Sequence, residues 1–342
     1  RCNCIQGHSI RIRKQDRIIM AEIERLLPGT KVSDWASTAI AANSGIIPTY
    51  AGYFAGGNSG ITTVDRFDFA DDSRTTLGTG LSQGVRSGMC FANAGVAGYH
   101  SGGNTSGAPD VRHDHIDKFL FTNDSRSTLS ATLSSDVDGG AGMSNSGTAG
   151  YAAGGNAGGS YTNRVDKIAF SNDSKSTLGT GLSLARGAVP AGMSNSGTAG
   201  YVAGGHSGSG SAVVDKFAFS NDARSTLGTG LSVARWSMCG FSNSGTAGYA
   251  AGGTSGSVST VVDKFAFSND ARSTLGTGLS ESVHGEAGMA NSGTAGYVGG
   301  GYPLTAVINK FAFSNDGRTT LSNGLSATRN NATGFANSEA LV

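Results

Sequence analysis

The stretch NSGTAGYVAGGHSGSGSAVVDKFAFSNDARSTLGTGLS runs from Asn195 to Ser232, and a near copy of it begins at Asn243. A Tyr followed by a Gly pair, and then by an Asp/Asn–Lys/Arg–apolar triplet, occurs six times along the chain. The Gly pairs are Gly56-Gly57, Gly102-Gly103, Gly154-Gly155, Gly204-Gly205, Gly252-Gly253 and Gly300-Gly301. A repeat of about 50 residues is typical of propellers and related arrays. The chain therefore contains six copies of one structural unit.

Each copy predicts four short β-strands. In the quoted copy they are GMSNS at Gly192, TAGYVAGG at Thr198, VVDKFAF at Val213 and STLGTGLS at Ser225. The third strand alternates, with Phe217 and Phe219 on one face, as a half-buried strand requires. The clusters NSGT and SNDAR between the strands are typical of tight hairpin turns. Four antiparallel strands per copy predict an all-β, six-bladed β-propeller of four-stranded antiparallel blades.

Two segments match the pattern of the inner strand that must complete the first blade. One is AIAANSG, residues 39–45, and the other is TGFANSE, residues 333–339. We expect the C-terminal segment to close the ring beside the first copy, and a missing seventh blade is the alternative.

Residues 37–342 are assigned to the propeller, and residues 1–36 form a separate N-terminal segment. Within that segment, DRIIMAEIERLL from Asp16 to Leu27 has the apolar spacing of an amphipathic helix, which Pro28-Gly29 ends. This helix either packs on the rim of the propeller or anchors it to a larger assembly.

Composition limits the classes of partner. Charged residues make up 14% of the chain and the formal net charge is +1, so no strong field attracts nucleic acid. No apolar stretch approaches the roughly 20 residues of a membrane-spanning helix. Cys90 and Cys239 occupy equivalent places in two copies and are expected to be small core residues, whereas Cys2 and Cys4 lack further metal ligands nearby. We expect no cofactor.

The repeat resembles the kelch repeat, as in the central domain of galactose oxidase. The likeness lies in the double Gly after an apolar strand, the aromatic strand, and the Leu-bearing strand that often leads to Arg, as in LSVAR from Leu231 to Arg235. It covers residues 38–342. Leu stands where kelch repeats often carry Trp in the fourth strand. The turn SNDGRTT at Ser314 also looks like a sialidase Asp box, a hairpin brace, without its closing aromatic residue.

The segments DKFAFSNDARSTL and NSGTAGYVAGG look like repeats in virion structural proteins of marine phages, cyanophages especially. This resemblance implies a non-enzymatic fibre, spike or decoration protein, located on a virion or otherwise extracellular. Its partners would be other virion proteins, contacted through the N-terminal segment, and host glycans; a homo-oligomer is compatible with this role. A secreted or cell-surface lectin-like propeller and a kelch-type oxidase or hydrolase are the alternatives.

Sequence variation is confined to two kinds of connection. NSGTAG and SNDAR hardly change between copies, whereas the segments after the Gly pairs and between copies differ freely. In a four-stranded blade these two variable connections lie on the same side of the propeller. Binding sites are often built from such loops on a rigid scaffold, so this side is the predicted binding face.

Eight residues on that side are the predicted ligand-binding residues. An arginine precedes the inner strand in four copies, and Asp138 and His284 are expected to take similar places in the other two. Trp236 and Tyr302 are suited to stacking on a sugar ring. The alternative role for the arginines is a structural brace to loop carbonyl groups. The full set is Arg86, Asp138, Arg186, Arg235, Trp236, His284, Tyr302 and Arg329.

The longest variable loop contains His113 and His115 among acidic residues. Two histidines with carboxylates nearby are a possible metal site, although solvated charge is the simpler interpretation. No pattern of catalytic residues stands out in the sequence, and no catalytic residues are assigned.

Overall fold

The computed structural model describes residues 50–58, 60–105 and 110–338. The predicted N-terminal helix and the alternative closing segment, residues 39–45, lie outside the described residues. Within the described part, no helix is long and apolar enough to span a membrane.

Six four-stranded antiparallel sheets make up the structure, as the repeat predicts. Each is named a blade and is given from its inner to its outer strand. Blade 1 is β28 (Thr333–Asn337), β1 (Ala51–Ala55), β2 (Val64–Asp68) and β3 (Arg74–Thr76); blade 2 is β4 (Met89–Asn93), β5 (Ala97–Ser101), β8 (Ile116–Leu120) and β9 (Arg126–Thr128); blade 3 is β10 (Ala141–Asn145), β11 (Ala149–Ala153), β14 (Val165–Ala169) and β15 (Lys175–Thr177). Blade 4 is β16 (Ala191–Asn195), β17 (Ala199–Ala203), β18 (Val214–Ala218) and β19 (Ala223–Thr226); blade 5 is β20 (Cys239–Asn243), β21 (Ala247–Ala251), β22 (Val262–Ala266) and β23 (Arg272–Thr274); blade 6 is β24 (Ala287–Asn291), β25 (Ala295–Gly299), β26 (Ile308–Ala312) and β27 (Gly317–Thr320). Two-stranded ladders extend the loops of blades 2 and 3: β6 (Asn104–Thr105) with β7 (Val111–Arg112), and β12 (Asn156–Ala157) with β13 (Ser160–Tyr161).

The C-terminal strand closes the ring. β28 pairs antiparallel with β1, and Tyr53 lies opposite Phe335 in this register. The prediction that residues near the C-terminus supply the inner strand of the first blade is therefore confirmed, and the propeller has six blades. Ring closure without a covalent link ties the last part of the described chain to the first.

The hydrophobic core lies between neighbouring blades. Phe91 and Tyr99 of blade 2 stack on each other, and Tyr99 also stacks on Phe170 of blade 3, with ring centroids 5.2 Å apart. The small residues of the inner strands let the blades approach closely. A Cβ at Gly192 would lie 2.0 Å from the carbonyl oxygen of Gly142 in the preceding blade, so only glycine fits there.

The turn between the third and fourth strands explains why SNDAR is held constant. In blade 4, Asp222 has a positive φ of 56°, a conformation that Asp adopts more readily than most residues. Its carboxylate accepts hydrogen bonds from the Tyr151 hydroxyl at 2.8 Å and from Lys167 Nζ at 2.7 Å, both in the preceding blade. We call this three-residue contact the interblade latch.

The latch recurs at all six blade junctions. Burial and the hydrogen bond to Asp raise the pKa of every latch tyrosine, which keeps the hydroxyl a donor. The tyrosine–aspartate pairs are Tyr53–Asp124, Tyr99–Asp173, Tyr151–Asp222, Tyr201–Asp270, Tyr249–Asp316 and Tyr297–Asp72.

Candidate functional site

The two ends of the propeller are built from different connections. The latch turns and the hairpins between first and second strands lie at one end, which we call the constant face. The loops between second and third strands and the connections between blades lie at the other end, the variable face. Since the constant face contains the latches, sequence change is tolerated mainly on the variable face.

A ring of short backbone bridges surrounds the centre of the variable face. In each blade, the residue after the Gly pair exchanges backbone hydrogen bonds with a residue that precedes the inner strand; for example, Trp236 N donates to the Thr254 carbonyl at 3.0 Å, and Thr254 N donates to the Trp236 carbonyl at 2.9 Å. In blade 1 a side-chain bond replaces one of the two, because Asn330 N donates to Asn58 Oδ1. We call these six pairs the bridge ring. They are Asn58–Asn330, Arg86–Asn104, Asp138–Asn156, Gly187–His206, Trp236–Thr254 and His284–Tyr302.

Backbone atoms make most of the bridge ring, so its side chains are free to differ. The twelve positions hold aromatic, charged, amide and small residues on one constant backbone frame. This combination of a fixed frame and varied side chains is the arrangement expected of a recognition surface.

The structure corrects the expected equivalence of the arginines. The carbonyls of Arg186, Arg235 and Arg329 each accept a hydrogen bond from the second Gly of a pair, as do those of Val85, Val137 and Val283. Arg86 lies one position later and belongs with Asp138, Trp236 and His284 in the bridge ring. The four arginines therefore occupy two different registers, and only Arg86 reaches the variable face.

The other three arginines are buried braces. Arg186 is fully buried; its Nη2 lies 3.1 Å from Asp215 and donates to the Val202 carbonyl at 2.9 Å. Arg235 and Arg329 make equivalent ion pairs with Asp263 and Asp65. Burial lowers the pKa of all three guanidinium groups, and the neighbouring aspartate opposes that effect. Because their side chains are not exposed, we leave these three residues out of the candidate site.

The part of the bridge ring in blades 1 to 3 is polar, and we call it the polar arc. Arg86 donates from Nε to Asn104 Oδ1 at 3.1 Å and pairs with Asp110 at 3.3 Å. Arg112 pairs with Asp138 at 2.7 Å. The charged side chains of the polar arc thus mostly form ion pairs with each other or with neighbouring residues of this chain.

The part in blades 4 to 6, together with Tyr161 of blade 3, is aromatic, and we call it the aromatic arc. The ring of His206 lies edge-on to Trp236 at 5.0 Å and to Tyr161 at 5.6 Å between centroids. In blade 6, His284 and Tyr302 have ring centroids 5.4 Å apart. Desolvation lowers the pKa of His284, which favours its neutral form. Three of the predicted ligand-binding residues, Trp236, His284 and Tyr302, therefore lie on the same arc of the variable face. This placement allows them to belong to one site.

Exposed apolar side chains reinforce this asymmetry. Tyr302 is 52% exposed, and large apolar residues with comparable exposure occur in the same blades and in the connections that lead to them. On the described part of the variable face in blades 1 to 3, by contrast, the exposed large apolar side chain is that of Val111. The exposed residues on the aromatic side are Leu184, Val233, Val258, Tyr302 and Leu304.

The loop histidines do not form a metal centre with other ligands. The rings of His113 and His115 lie 5.4 Å apart and are nearly perpendicular. No group of three or more His, Cys, Asp or Glu side chains that could hold a metal ion occurs within residues 50–58, 60–105 and 110–338. Two histidines alone make a poor site, so we assign them no ligand.

The burial of two ionisable side chains, His100 and Glu286, is not predicted by the sequence pattern. His100 stands where other blades have Phe, Ala or Val, and its two ring nitrogens are buried without a hydrogen-bond partner. Desolvation, with a contribution from His115, lowers the pKa of His100 to about 4. Glu286 is also buried without a partner for its carboxyl oxygens, and burial raises its pKa well above the usual range. The signal available in the sequence was the departure of each residue from its repeat.

A cavity of about 780 Å3 lies on the propeller axis at the constant face. Serine side chains line it, and most of them accept a backbone N–H from a neighbouring blade. Ser144 N donates to Ser194 Oγ at 2.8 Å, and Ser194 N donates to Ser242 Oγ at 2.8 Å. These hydroxyls therefore have a structural role in the ring.

Comparison with known proteins supports the architecture. No family model and no curated protein matches the sequence. The solved structure described as "Structure of YjhT" is similar, with a TM-score of 0.61 and 15% sequence identity, over 81% of this chain and 98% of that one. At this level of identity the likeness shows the fold alone, and the chain is a six-bladed β-propeller whose function must be inferred from its own site.

Proposed function

We propose that this chain is a non-enzymatic binding module that holds carbohydrate against the aromatic arc of its variable face. Trp and Tyr side chains combine an apolar ring face with a polar group, which suits the alternating apolar and hydroxyl surfaces of sugars. The concentration of aromatic residues on three successive blades of one face is the observation that carries this proposal. The bridge ring supports it, because a rigid backbone frame presents these side chains with little loss of entropy on binding.

The biological setting that we propose is attachment of a virion to glycans on a host surface. The repeats resemble virion structural proteins of marine phages and the kelch type of propeller, and the surface is polar with little net charge. In this role the N-terminal segment joins the propeller to other virion proteins. A secreted lectin-like propeller would use the same face for the same class of ligand without the virion.

A glycan array tests the binding proposal. The purified full chain is applied beside Trp236→Ala, and beside Val111→Ala as a control that removes an exposed apolar residue from the same face outside the aromatic arc. We expect the wild type and Val111→Ala to bind the same glycans and Trp236→Ala to lose at least tenfold in affinity. Absence of glycan binding by the wild type would contradict the proposal.

Detection of the chain in particles tests the virion setting separately. Virions are purified from cells that express the chain, and an antibody against residues 50–338 should label them. Secretion of the chain free of particles, together with glycan binding, would leave the binding proposal in place and overturn the viral setting.

A further inference from the structure

We infer that the aromatic arc selects neutral saccharides and discriminates against sugars that carry a carboxylate; this inference rests on the proposed carbohydrate binding. It concerns the class of ligand, which neither the repeat pattern nor the fold determines.

The first argument is the state of the basic side chains on the variable face. A protein that recognises a carboxylate usually does so with Arg in bidentate geometry or with Lys. Arg86 and Arg112 are paired with Asp110 and Asp138, and Arg164 donates to Ser135. At Arg86 and Arg112 a sugar carboxylate would have to compete with a carboxylate already in place, whereas the partner of Arg164 is a neutral hydroxyl.

Three further arginines near this face are out of reach of a ligand because they are buried. Arg186, Arg235 and Arg329 are buried against aspartates below the bridge ring. The lysines of blades 2 to 6 that follow the third-strand Asp or Asn bind the latch aspartates of the constant face, at 2.7 Å in each case. The aromatic arc itself contains no Arg or Lys within the described residues. Its basic side chains are those of His206 and His284, and desolvation lowers the pKa of His284, which favours the neutral form.

The second argument is an excess of acidic residues on the same face. Among the described residues of this face, three arginines with partly exposed side chains are accompanied by five carboxylates, and Glu281 lies three residues before His284 of the aromatic arc. Like charges near a site lower the affinity for an anion and leave a neutral ligand almost unaffected. The arginines are Arg86, Arg112 and Arg164, and the carboxylates are Asp110, Asp114, Asp136, Asp138 and Glu281.

The third argument is the type of hydrogen-bonding group beside the aromatic rings. Gly208 N donates to His206 Nδ1 at 3.3 Å, so Nδ1 of this ring acts as an acceptor and Nε2 is left to donate. Thr254 Oγ1 accepts from Gly256 N at 3.2 Å and retains its hydroxyl proton. Neutral donors and acceptors of this kind match sugar hydroxyl or N-acetyl groups.

Pairs of probes in which one member is neutral and the other carries carboxylates test the inference. Titration calorimetry on the full chain would compare lactose with 3′-sialyllactose, and oligomers of glucose with oligomers of glucuronic acid. We expect the neutral member of at least one pair to bind at least tenfold more tightly than its acidic member at low salt. Tyr302→Ala should weaken that neutral binding, while Val111→Ala should not.

A charge variant separates selection by charge from selection by shape. Glu281→Gln removes the exposed carboxylate three residues before His284 of the aromatic arc, so it should increase affinity for the acidic probes and leave neutral binding unchanged. Tighter binding of the acidic member in both pairs would overturn the inference and leave the proposed function intact. No binding of any neutral or acidic glycan, in the array or by calorimetry, would overturn both.

Discussion

The two faces of this propeller use the same repeat in opposite ways. On the constant face, side chains hold neighbouring blades together, so each copy needs the same Tyr, Lys or Arg, and Asp. On the variable face, backbone hydrogen bonds fix the connections, within each blade through the bridge ring and between blades through the second Gly of each pair. The side chains there can therefore differ from blade to blade. Side chains are constant where they make the contacts that stabilise the ring. They differ between blades where backbone hydrogen bonds make those contacts.

A buried layer beneath the variable face is constant in some blades and changed in others. Blades 1, 4 and 5 contain an Arg–Asp pair, whereas blade 6 has Val283 and Asn309 at the same positions. Blade 3 keeps Asp166 beside Val137 and satisfies it with Ser134 and Thr177. Blade 2 likewise combines Val85 with Asp117, which accepts from Thr128. Loss of the base alone is thus accommodated in two blades, while loss of the acid occurs together with loss of the base.

The largest expected effect is the removal of the buried acid alone. Asp215→Asn leaves Arg186 buried without a counter-charge, so the free energy of unfolding should fall by about 3–5 kcal/mol. Arg186→Val should cost less, because Asp215 keeps its bonds from Ser183 and Thr226. Equilibrium unfolding in urea measures both.

The double variant Arg186→Val/Asp215→Asn reproduces the pair found in blade 6 and serves as the control. It should recover most of the stability lost in Asp215→Asn. Equal losses in the two single variants, or no recovery in the double variant, would mean that the pair is not coupled as the structure indicates.

A comparable effect is expected at low pH from His100. Its pKa is lowered from 6.5 to about 4 in the folded chain, so the unfolded chain binds the proton first as the pH falls. The contribution of neutral His100 is therefore complete above pH 6.5 and is lost as the pH falls towards 4, by up to about 3 kcal/mol. Unfolding measured at pH 7 and pH 4.5 should show this loss.

His100→Val is the matched control, since Val202 and Val298 occupy the same position in blades 4 and 6. This variant should lose less stability than the wild type between the two pH values. An unchanged pH dependence would exclude His100 as its source.

A smaller effect is expected from one latch among six. Asp270→Ala removes the acceptor of Tyr201 and Lys216 and places Ala at a positive φ of 58°, which should cost about 2–3 kcal/mol. Asp270→Asn keeps an acceptor and a residue that tolerates this φ, so about half of that cost is expected. Thermal unfolding of the two variants would rank them, and identical behaviour to the wild type would show that the latch adds no stability.

The repeat predicted the blades because their periodicity depends on features visible along the chain. Strand alternation, Gly pairs and hairpin clusters gave six blades and their strand order, and the match between residues 333–339 and the other inner strands predicted the ring closure. These features depend on short stretches of sequence, and each copy repeats them because each blade needs the same strands and turns.

The arginine register was not predicted, because it depends on a one-residue difference in the connections. Arg186 lies four residues after the buried Leu182, whereas Arg86 lies five residues after Leu81. Counting from the buried Leu of each copy would have separated the two sets. Burial of His100 and Glu286 could not be read from hydrophobic patterning, since their polar side chains occupy positions that the neighbouring blades fill with apolar residues or glycine.

The separation of stability from binding is tested most directly by measuring the melting temperature and glycan affinity together in one variant of each face. Asp270→Asn should lower the melting temperature and keep glycan affinity, while Tyr302→Ala, whose side chain is half exposed, should keep the melting temperature and lose glycan affinity. Parallel loss of both properties in either variant, or unchanged glycan affinity in Tyr302→Ala, would contradict a propeller held together at one face and specialised for recognition at the other.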